Sequence, residues 1–314
     1  MGWNWLTGLM VLLQLMNPTE LLWIDHDGEA IDTVNIREYI QPLPGIPIVD
    51  ENKLERLMDQ AAKKVARAPV DATIDGSGRI NPEKNGSELD RQAFRIKFYR
   101  RVYEGEAYSK LEVPTKHVYA KVDSEVLSSI KVKEIGQYWT YYNSRNRNRS
   151  HNVALAAKAV NNIVVFPGET FSFNKTVGKR TRQKGYLRAP VIVRGELAED
   201  YGGGICQVSS TLFNAADRAG LRIVERYSHS RQVPYVPPGR DATVSWYGPD
   251  LVLENPYQQP ILIRARASAG EVSVLITSTE MLEFQKREVP SASKKLPPEI
   301  RVDDLNVNGL KQHR

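Results

Sequence analysis

Cysteine is nearly missing from this chain: one residue, Cys206, among 314. A single thiol excludes an intrachain disulfide and a cysteine-rich metal site. Histidine is also scarce, five in all, and none stands at a metal-ligand spacing. Neither a metal nor any other cofactor is therefore expected. Charge of one sign does not dominate, with 43 Lys and Arg against 37 Asp and Glu, a net charge of +6. That modest excess suits contact with an anionic polymer, which by charge alone includes nucleic acid, a cell wall or a membrane surface. Zinc-finger spacing and an RNA-binding aromatic signature are both absent, so nucleic acid is not an expected partner. The apolar run at 3–16, WNWLTGLMVLLQLM, is too short for a comfortable membrane span and has the length of a signal sequence. It lacks a basic flank before it and a small-residue cleavage site after it. We read it as an atypical export signal or membrane anchor. An ordinary apolar helix packed on the protein, or a misplaced start codon, are the alternatives. Internal repeats are also lacking.

What is present is a globular composition, 41% hydrophobic and 25% charged, which argues against a mostly disordered chain. The length allows one or two domains with tails. The pattern divides into an apolar segment at 1–24, a small α/β unit at 25–134, a mixed α+β domain at 135–280 and a Pro- and Lys-rich tail at 281–314, expected to be mobile and solvated. Within the first unit, ENKLERLMDQAAKKVAR (51–67) has helical apolar spacing. DGSG (75–78) has hairpin-turn chemistry. Ser87 is the expected N-cap of a helix over 88–102. Residues from 108 alternate as a strand that closes the unit. In the second domain, Ser150 is the expected cap of a helix ending at a left-handed Asn162. Strands are expected over FPGETFSFN, GYLRAPVIVRGE, 222–228, 242–246 and 251–253. A pair follows, PILIRARAS and EVSVLITST, joined at Ala269-Gly270. The fold class is α+β, with a Cys-bearing helix on an antiparallel sheet.

The one cysteine lies in YGGGICQVSSTLFNAADRAG (201–220). From Ile205, apolar residues fall at offsets of 3, 7, 11 and 14 (Val208, Leu212, Ala216, Ala219), a single helical face. Cys206 thus sits in the first turn of a helix of about 14 residues that Gly220 ends. Free N–H groups and the positive end of the macrodipole lie there, and both stabilise a thiolate. The preceding glycines, among them Gly203 and Gly204, let a substrate carbonyl approach the backbone and N–H groups converge on an oxyanion. The competing reading is a tight strand-to-helix turn around an inert buried thiol.

A base is needed beside such a thiol. Of the histidines, His26 and His313 fall in expected tails, His117 in the first unit and His151 near a helix start. His229 follows the Cys206 helix, on an expected strand. Asp241, twelve residues later, is placed to orient His229, with Glu225 the weaker candidate. A thiol at a helix N-terminus with a histidine on a following strand is the thiol-hydrolase arrangement. A structural His229, and an Asp241 bonded to its own turn, are the alternatives. Arg180, Arg182, Arg188, Arg194, Arg231 and Arg240 crowd the same half of the chain. Arg194, Arg231 and Arg240 are taken as candidates to grip a substrate carboxylate, although each taken alone can equally be a solvated surface charge.

FPGETFSFN, GYLRAPVIVRGE, GGGICQVSSTLFNAA, SHSRQVPYVPPGRDATV and DLVLENPYQQPILI resemble the VanW family, in that family's order, over residues 135–278. The 51–132 unit resembles more loosely a small peptidoglycan-binding domain that often precedes VanW domains. The resemblance implies a cell-envelope protein with peptidoglycan or another anionic wall polymer as partner. It further implies an L,D-transpeptidase-like activity, with Cys206 acylated as a thioester and His229 as base. The better-known L,D-transpeptidase signature places His shortly before Cys. Here Ile205 precedes Cys206 and the histidine comes afterwards, so that older fold is not implied. A non-catalytic envelope-binding protein is the alternative, with GGGICQ a structural turn and the basic surface and the 51–132 unit holding the wall polymer.

Overall fold

The computed structural model describes residues 21–41, 47–104, 110–193 and 196–296. The described residues fall into two compact units, one within 1–72 and 82–123, the other within 73–81 and 124–314.

The first unit packs two helices beside short strands. Helix Glu51–Val65 is capped by Asp50, whose Oδ1 accepts from the Lys53 N–H at 3.2 Å. It buries Leu54, Leu57, Met58, Ala61 and Val65, the face that the spacing predicts. The next helix starts later than expected, at Arg91. Ser87 does not cap it. Residues 86–89 form a strand paired antiparallel with 115–118, and Ser87 exchanges backbone bonds of 2.9 Å with Arg67. Asp90 provides the cap instead, its Oδ1 accepting from Ala93 N–H at 2.9 Å. A three-stranded sheet joins Leu21–His26 antiparallel to Glu29–Asn35 and parallel to Lys110–Glu112.

The second unit includes the hairpin Thr73–Ile74/Ile80–Asn81, turned at DGSG as expected. Helix α1 (Ser124–Ile130) was not legible in the alternation that precedes it. There follow β1 (Lys133–Tyr141), α2 (Arg147–Val160), β2 (Ile163–Val165), β3 (Thr170–Ser172), α3 (Phe173–Val177), the pair β4 (Arg188–Val193) and β5 (Glu196–Tyr201), α4 (Ile205–Arg218), β6 (Arg222–Glu225), β7 (Val252–Glu254), β8 (Ile261–Ser268) and β9 (Glu271–Ser278). The main sheet is antiparallel in the order β1-β9-β8-β2. A smaller sheet runs β3-β7-β6.

The β8–β9 connection is the two-residue turn read from the sequence. Ala269 and Gly270 both have positive φ, +52° and +86°, as a primed hairpin turn requires. Along β9 the side chains alternate, and Val272, Val274 and Ile276 are buried. Helix α4 packs against β1 and β9 and helix α2 against β8, so the two helices and the sheet close one core. Val208 and Leu212 of α4 are fully buried, each contributing about 1.5–3 kcal/mol.

Two expectations for this unit are corrected. Helix α2 is capped by Asn146, which accepts from Arg149 N–H at 3.1 Å, while Ser150 is already inside the helix and donates to Asn146 O at 2.7 Å. Asn162 is left-handed, with φ +64°, and its amide brackets Ile74, accepting from N at 3.0 Å and donating to O at 3.1 Å. The second correction concerns the tail, whose start is packed. Leu282 and Val289 are buried, and Tyr138 donates to Pro290 O at 2.8 Å. The rest of the expected tail, 297–314, lies outside the described residues. The apolar run at 3–16 does too. Among the described residues no helix is long and apolar enough to cross a membrane.

Candidate active site

The three glycines first serve the fold. Gly202 and Gly204, with φ of +88° and +102°, turn the chain from β5 into α4 through conformations that an L side chain resists. Gly203 is buried against β4, and a Cβ there would stand 2.5 Å from Ala189 O and 2.6 Å from Pro190 O. Gly203 therefore does not face substrate, contrary to the expectation, and its carbonyl accepts from Asn152 Nδ2 at 3.1 Å. Gly204 does line the cleft, wedged against Arg149 and Val153. Ile205 N–H donates to Gly202 O at 3.2 Å and Gln207 N–H to Gly204 O at 3.0 Å. Those bonds leave the N–H of Cys206 as the first-turn donor outside them, beside its own thiol.

Cys206 is partly exposed at the floor of a cleft of about 450 Å³. Its Sγ lies 3.6 Å from Val244 O and 3.8 Å from Thr243 Oγ1. The segments that complete the site are not the strands expected at 222–228 and 242–246, because β6 ends at Glu225 and 241–246 has no strand pairing. Side chains hold this backbone instead. Ser209 donates to Ala242 O at 2.6 Å, Ser210 Oγ accepts from Ala242 N–H at 2.9 Å, and Asn214 Nδ2 donates to Arg240 O at 2.8 Å. Arg226 Nε donates to Asp241 O at 2.7 Å. Polar groups along α4 thus satisfy backbone that a neighbouring strand would otherwise pair.

The structure brings Cys206, His229 and Asp241 together. Asp241 Oδ2 lies 2.6 Å from both the backbone N and Nδ1 of His229. With Nδ1 committed there, Nε2 is the ring nitrogen left to act on Cys206, which lines the same cleft. Burial disfavours the imidazolium, but the bonds to Asp241 and Cys206 outweigh it and push the His229 pKa up to about 9. Burial likewise disfavours the thiolate, yet the hydrogen bond and charge of His229 bring the Cys206 pKa below its ordinary value. Asp241 is nearly buried, which disfavours its charge, and the bonds from His229 hold its carboxyl below the usual range all the same. Both shifts act in favour of a thiolate beside an imidazolium. Glu225 does not orient His229, because its Oε1 accepts from Asp250 N–H at 3.2 Å. Among the other histidines, His26 ends a strand of the first unit, His117 lies in another of its strands, His151 Nε2 meets Gly185 O at 2.9 Å, and His313 is outside the described residues.

Of the arginines chosen from sequence, the two described ones, Arg231 and Arg240, do not line the cleft. Arg240 bonds Asn214 Oδ1 and Asp217 Oδ2, both at 2.7 Å, and lies over the Phe213 ring, all on α4. Arg231 is exposed and does not line the cleft, and Arg194 lies outside the described residues. Arg149, Lys179 and Arg180 line it instead, with Tyr201, Trp246 and Tyr247. No local pattern marks Arg149, which sits on α2 nearly sixty residues before the thiol. Trp246-Tyr247, two large aromatics in a polar turn, was a signal that the sequence offered.

A family model described as VanW like protein matches residues 148–277, a span that contains the thiol, histidine and carboxylate. A Bacillus subtilis (strain 168) protein named as uncharacterized protein YoaR is 52% identical over 298 residues, which cover 95% of this chain and 98% of that relative. The vancomycin B-type resistance protein VanW of Enterococcus faecalis (strain ATCC 700802 / V583) is 34% identical over 113 residues, covering 34% of this chain and 41% of that relative. No solved structure matches this chain.

Proposed function

This chain belongs to the VanW family, and we propose that it is an extracytoplasmic cell-envelope protein that performs Cys206-dependent acyl transfer on peptidoglycan stem peptides. One observation carries the reading: a thiol in the first turn of α4 shares its cleft with a histidine that a nearly buried aspartate holds, and that histidine lowers the thiol pKa. A relative named for vancomycin resistance and the net charge of +6 support an envelope setting with an anionic wall polymer as partner.

The thiolate of Cys206 attacks the carbonyl carbon of a stem amide, and the oxyanion develops beside the Cys206 N–H at the helix N-terminus. As the C–N bond breaks, the His229 imidazolium gives its proton to the leaving nitrogen. A thioester remains on Cys206. An acceptor amine then attacks it, neutral His229 takes that amine's proton, and the C–S bond breaks to restore the thiolate. Asp241 keeps the imidazole in one tautomer and stabilises its charge. Water in place of the amine makes the same chemistry a hydrolysis.

The test is intact-protein mass spectrometry after incubation with muropeptides. The wild-type chain gains the mass of an acyl group, while Cys206→Ala gains none and loses cross-linking or cleavage. A Cys206→Ala variant that keeps wild-type activity overturns the assignment. Absence of any adduct, with retained binding to sacculi, favours a wall-binding protein without catalysis.

A further inference from the structure

Three cations line the Cys206 cleft, and two of them are occupied. Arg149 donates to Gln207 Oε1 at 2.7 Å. Lys179 donates to Tyr247 OH at 2.7 Å. The acid on the wall, Asp200, accepts from the Tyr201 N–H at 2.7 Å. Arg180 differs from all of these. One terminal nitrogen donates to Asn174 Oδ1 at 2.7 Å. Asn174 is itself locked, its amide nitrogen donating to Ser245 O at 2.9 Å and Pro249 O at 3.0 Å. The other terminal nitrogen of Arg180, Nη1, is buried with no hydrogen-bond partner, and among the described residues Asp250 acts on the guanidinium by its charge without forming an ion pair with it. A permanently charged donor left empty in a buried position is costly unless a ligand fills it. The stem of Arg180 packs on the turn before Cys206, since a Cβ on Gly202 would fall 2.9 Å from Arg180 Cγ. Burial lowers the Arg180 pKa, while the negative charge of Cys206 acts to raise it, so the two groups sense each other.

We propose that Arg180 is the carboxylate anchor of the acyl site and selects peptides with a free C-terminus. This rests on the reading of Cys206 as the nucleophile. The guanidinium binds the α-carboxylate of the terminal residue, which places the last amide of the peptide over Cys206. The thiolate adds to the carbonyl of the penultimate residue, and the bond to the terminal nitrogen breaks. His229 protonates that nitrogen, and a free amino acid leaves with its carboxylate. The empty donor is thereby filled only while substrate is bound. A carboxylate, charged and acceptor-only, is the group that suits the one empty nitrogen.

Binding separates the anchor from the chemistry. A muropeptide tetrapeptide with a free C-terminal carboxylate, and the same peptide as its C-terminal amide, are titrated calorimetrically into Cys206→Ala. The acid binds at least about tenfold more tightly than the amide, the worth of a charged hydrogen bond. Arg180→Gln in that background removes the difference. In the protein with its thiol intact, Arg180→Gln raises KM for the acid and removes the preference in kcat/KM for acid over amide. If Arg180→Gln does not fold, the acid-to-amide comparison on Cys206→Ala decides alone. Equal affinity for acid and amide, or no binding of either, overturns the anchor. Preferential binding of the acid without a thioester on the intact protein upholds the anchor and overturns acyl transfer.

Discussion

A single oxygen of Asp241, Oδ2, accepts from both the backbone N–H and the ring Nδ1–H of His229, each at 2.6 Å. The carboxylate therefore fixes where the imidazole sits and how it is turned. Asp241→Asn keeps the shape but replaces an acceptor with a group that also donates. We expect kcat to fall on the order of a hundredfold or more, because the imidazole is free to take the wrong tautomer. The thiol pKa should rise as the imidazolium loses its counter-charge. Steady-state kinetics and alkylation rates against pH measure the two effects.

Alkylation of Cys206 should stay fast below the ordinary thiol range, since its pKa is lowered by His229. The activity profile should be a bell. Its acid limb is protonation of the thiolate and its basic limb is loss of the His229 proton near pH 9. His229→Gln should move the acid limb upward, toward the value of a free thiol. An acid limb that stays in place would show that His229 does not act on Cys206.

Stability follows from the same shifts. The raised His229 pKa contributes stability that is complete below pH 6.5 and is lost as the pH rises through about 9. The lowered Cys206 pKa contributes stability that is complete above 9.0 and is lost as the pH falls through the lowered value. Where the windows overlap the slopes oppose and cancel, because the folded pair and the unfolded pair each hold one proton. Cys206→Ala removes one slope only. Its Tm should decline as pH rises above 6.5, while the wild-type Tm stays level over the overlap. Differential scanning calorimetry across that range tests it.

Gly203→Ala and Gly204→Ala should damage folding before chemistry. The first drives a methyl group into two backbone carbonyls of β4, and the second puts a side chain at φ +102° against Arg149 and Val153. Strain of that kind costs about 1–3 kcal/mol, more where backbone cannot yield. Chemical denaturation should show the loss. A Gly203→Ala protein with wild-type stability would contradict the packing described.

Arg240→Ala should lower stability by about 1–2 kcal/mol through its lost bonds to Asn214 and Asp217. KM should be nearly unchanged, because Arg240 is absent from the cleft wall. The contrast with Arg180 separates a structural arginine from a substrate-binding one. Melting curves and KM, measured on the same preparations, check both halves.

Short-range regularities were readable without coordinates. The offsets from Ile205 place α4 and its thiol, and Ala269-Gly270 places the β8–β9 turn, since both depend on a few neighbouring residues. The proximity of His229 and Asp241 to Cys206 followed from chemistry rather than pattern. The alternation at 242–246 misled, because Ala242 is satisfied by Ser209 and Ser210 across the fold and Thr243 and Ser245 make isolated backbone bonds to Tyr227 and Pro249 in place of a ladder. A strand partner and a serine hydroxyl leave the same trace in a local pattern. The glycines misled in part for a similar reason. What excludes a side chain at 203 is a strand fourteen residues earlier in the chain. The cleft arginines stayed hidden because the partner of a guanidinium is chosen by tertiary packing. Arg240 and Arg180 look alike in sequence, but one is saturated on α4 and the other holds an empty donor.

The serines of α4 tie the helix of Cys206 to the segment of Asp241 by a route that does not exist until the domain closes. Ser210 grips Ala242, the residue after the aspartate, across a separation of 32 positions. Before that closure Cys206 is an ordinary thiol, mostly protonated at neutral pH and slow to react. The lowered thiol pKa thus depends on closure of the domain and not on the helix alone. An unfolded chain carries an ordinary thiol, and with a single cysteine it has no second sulfur to trap it in the wrong form.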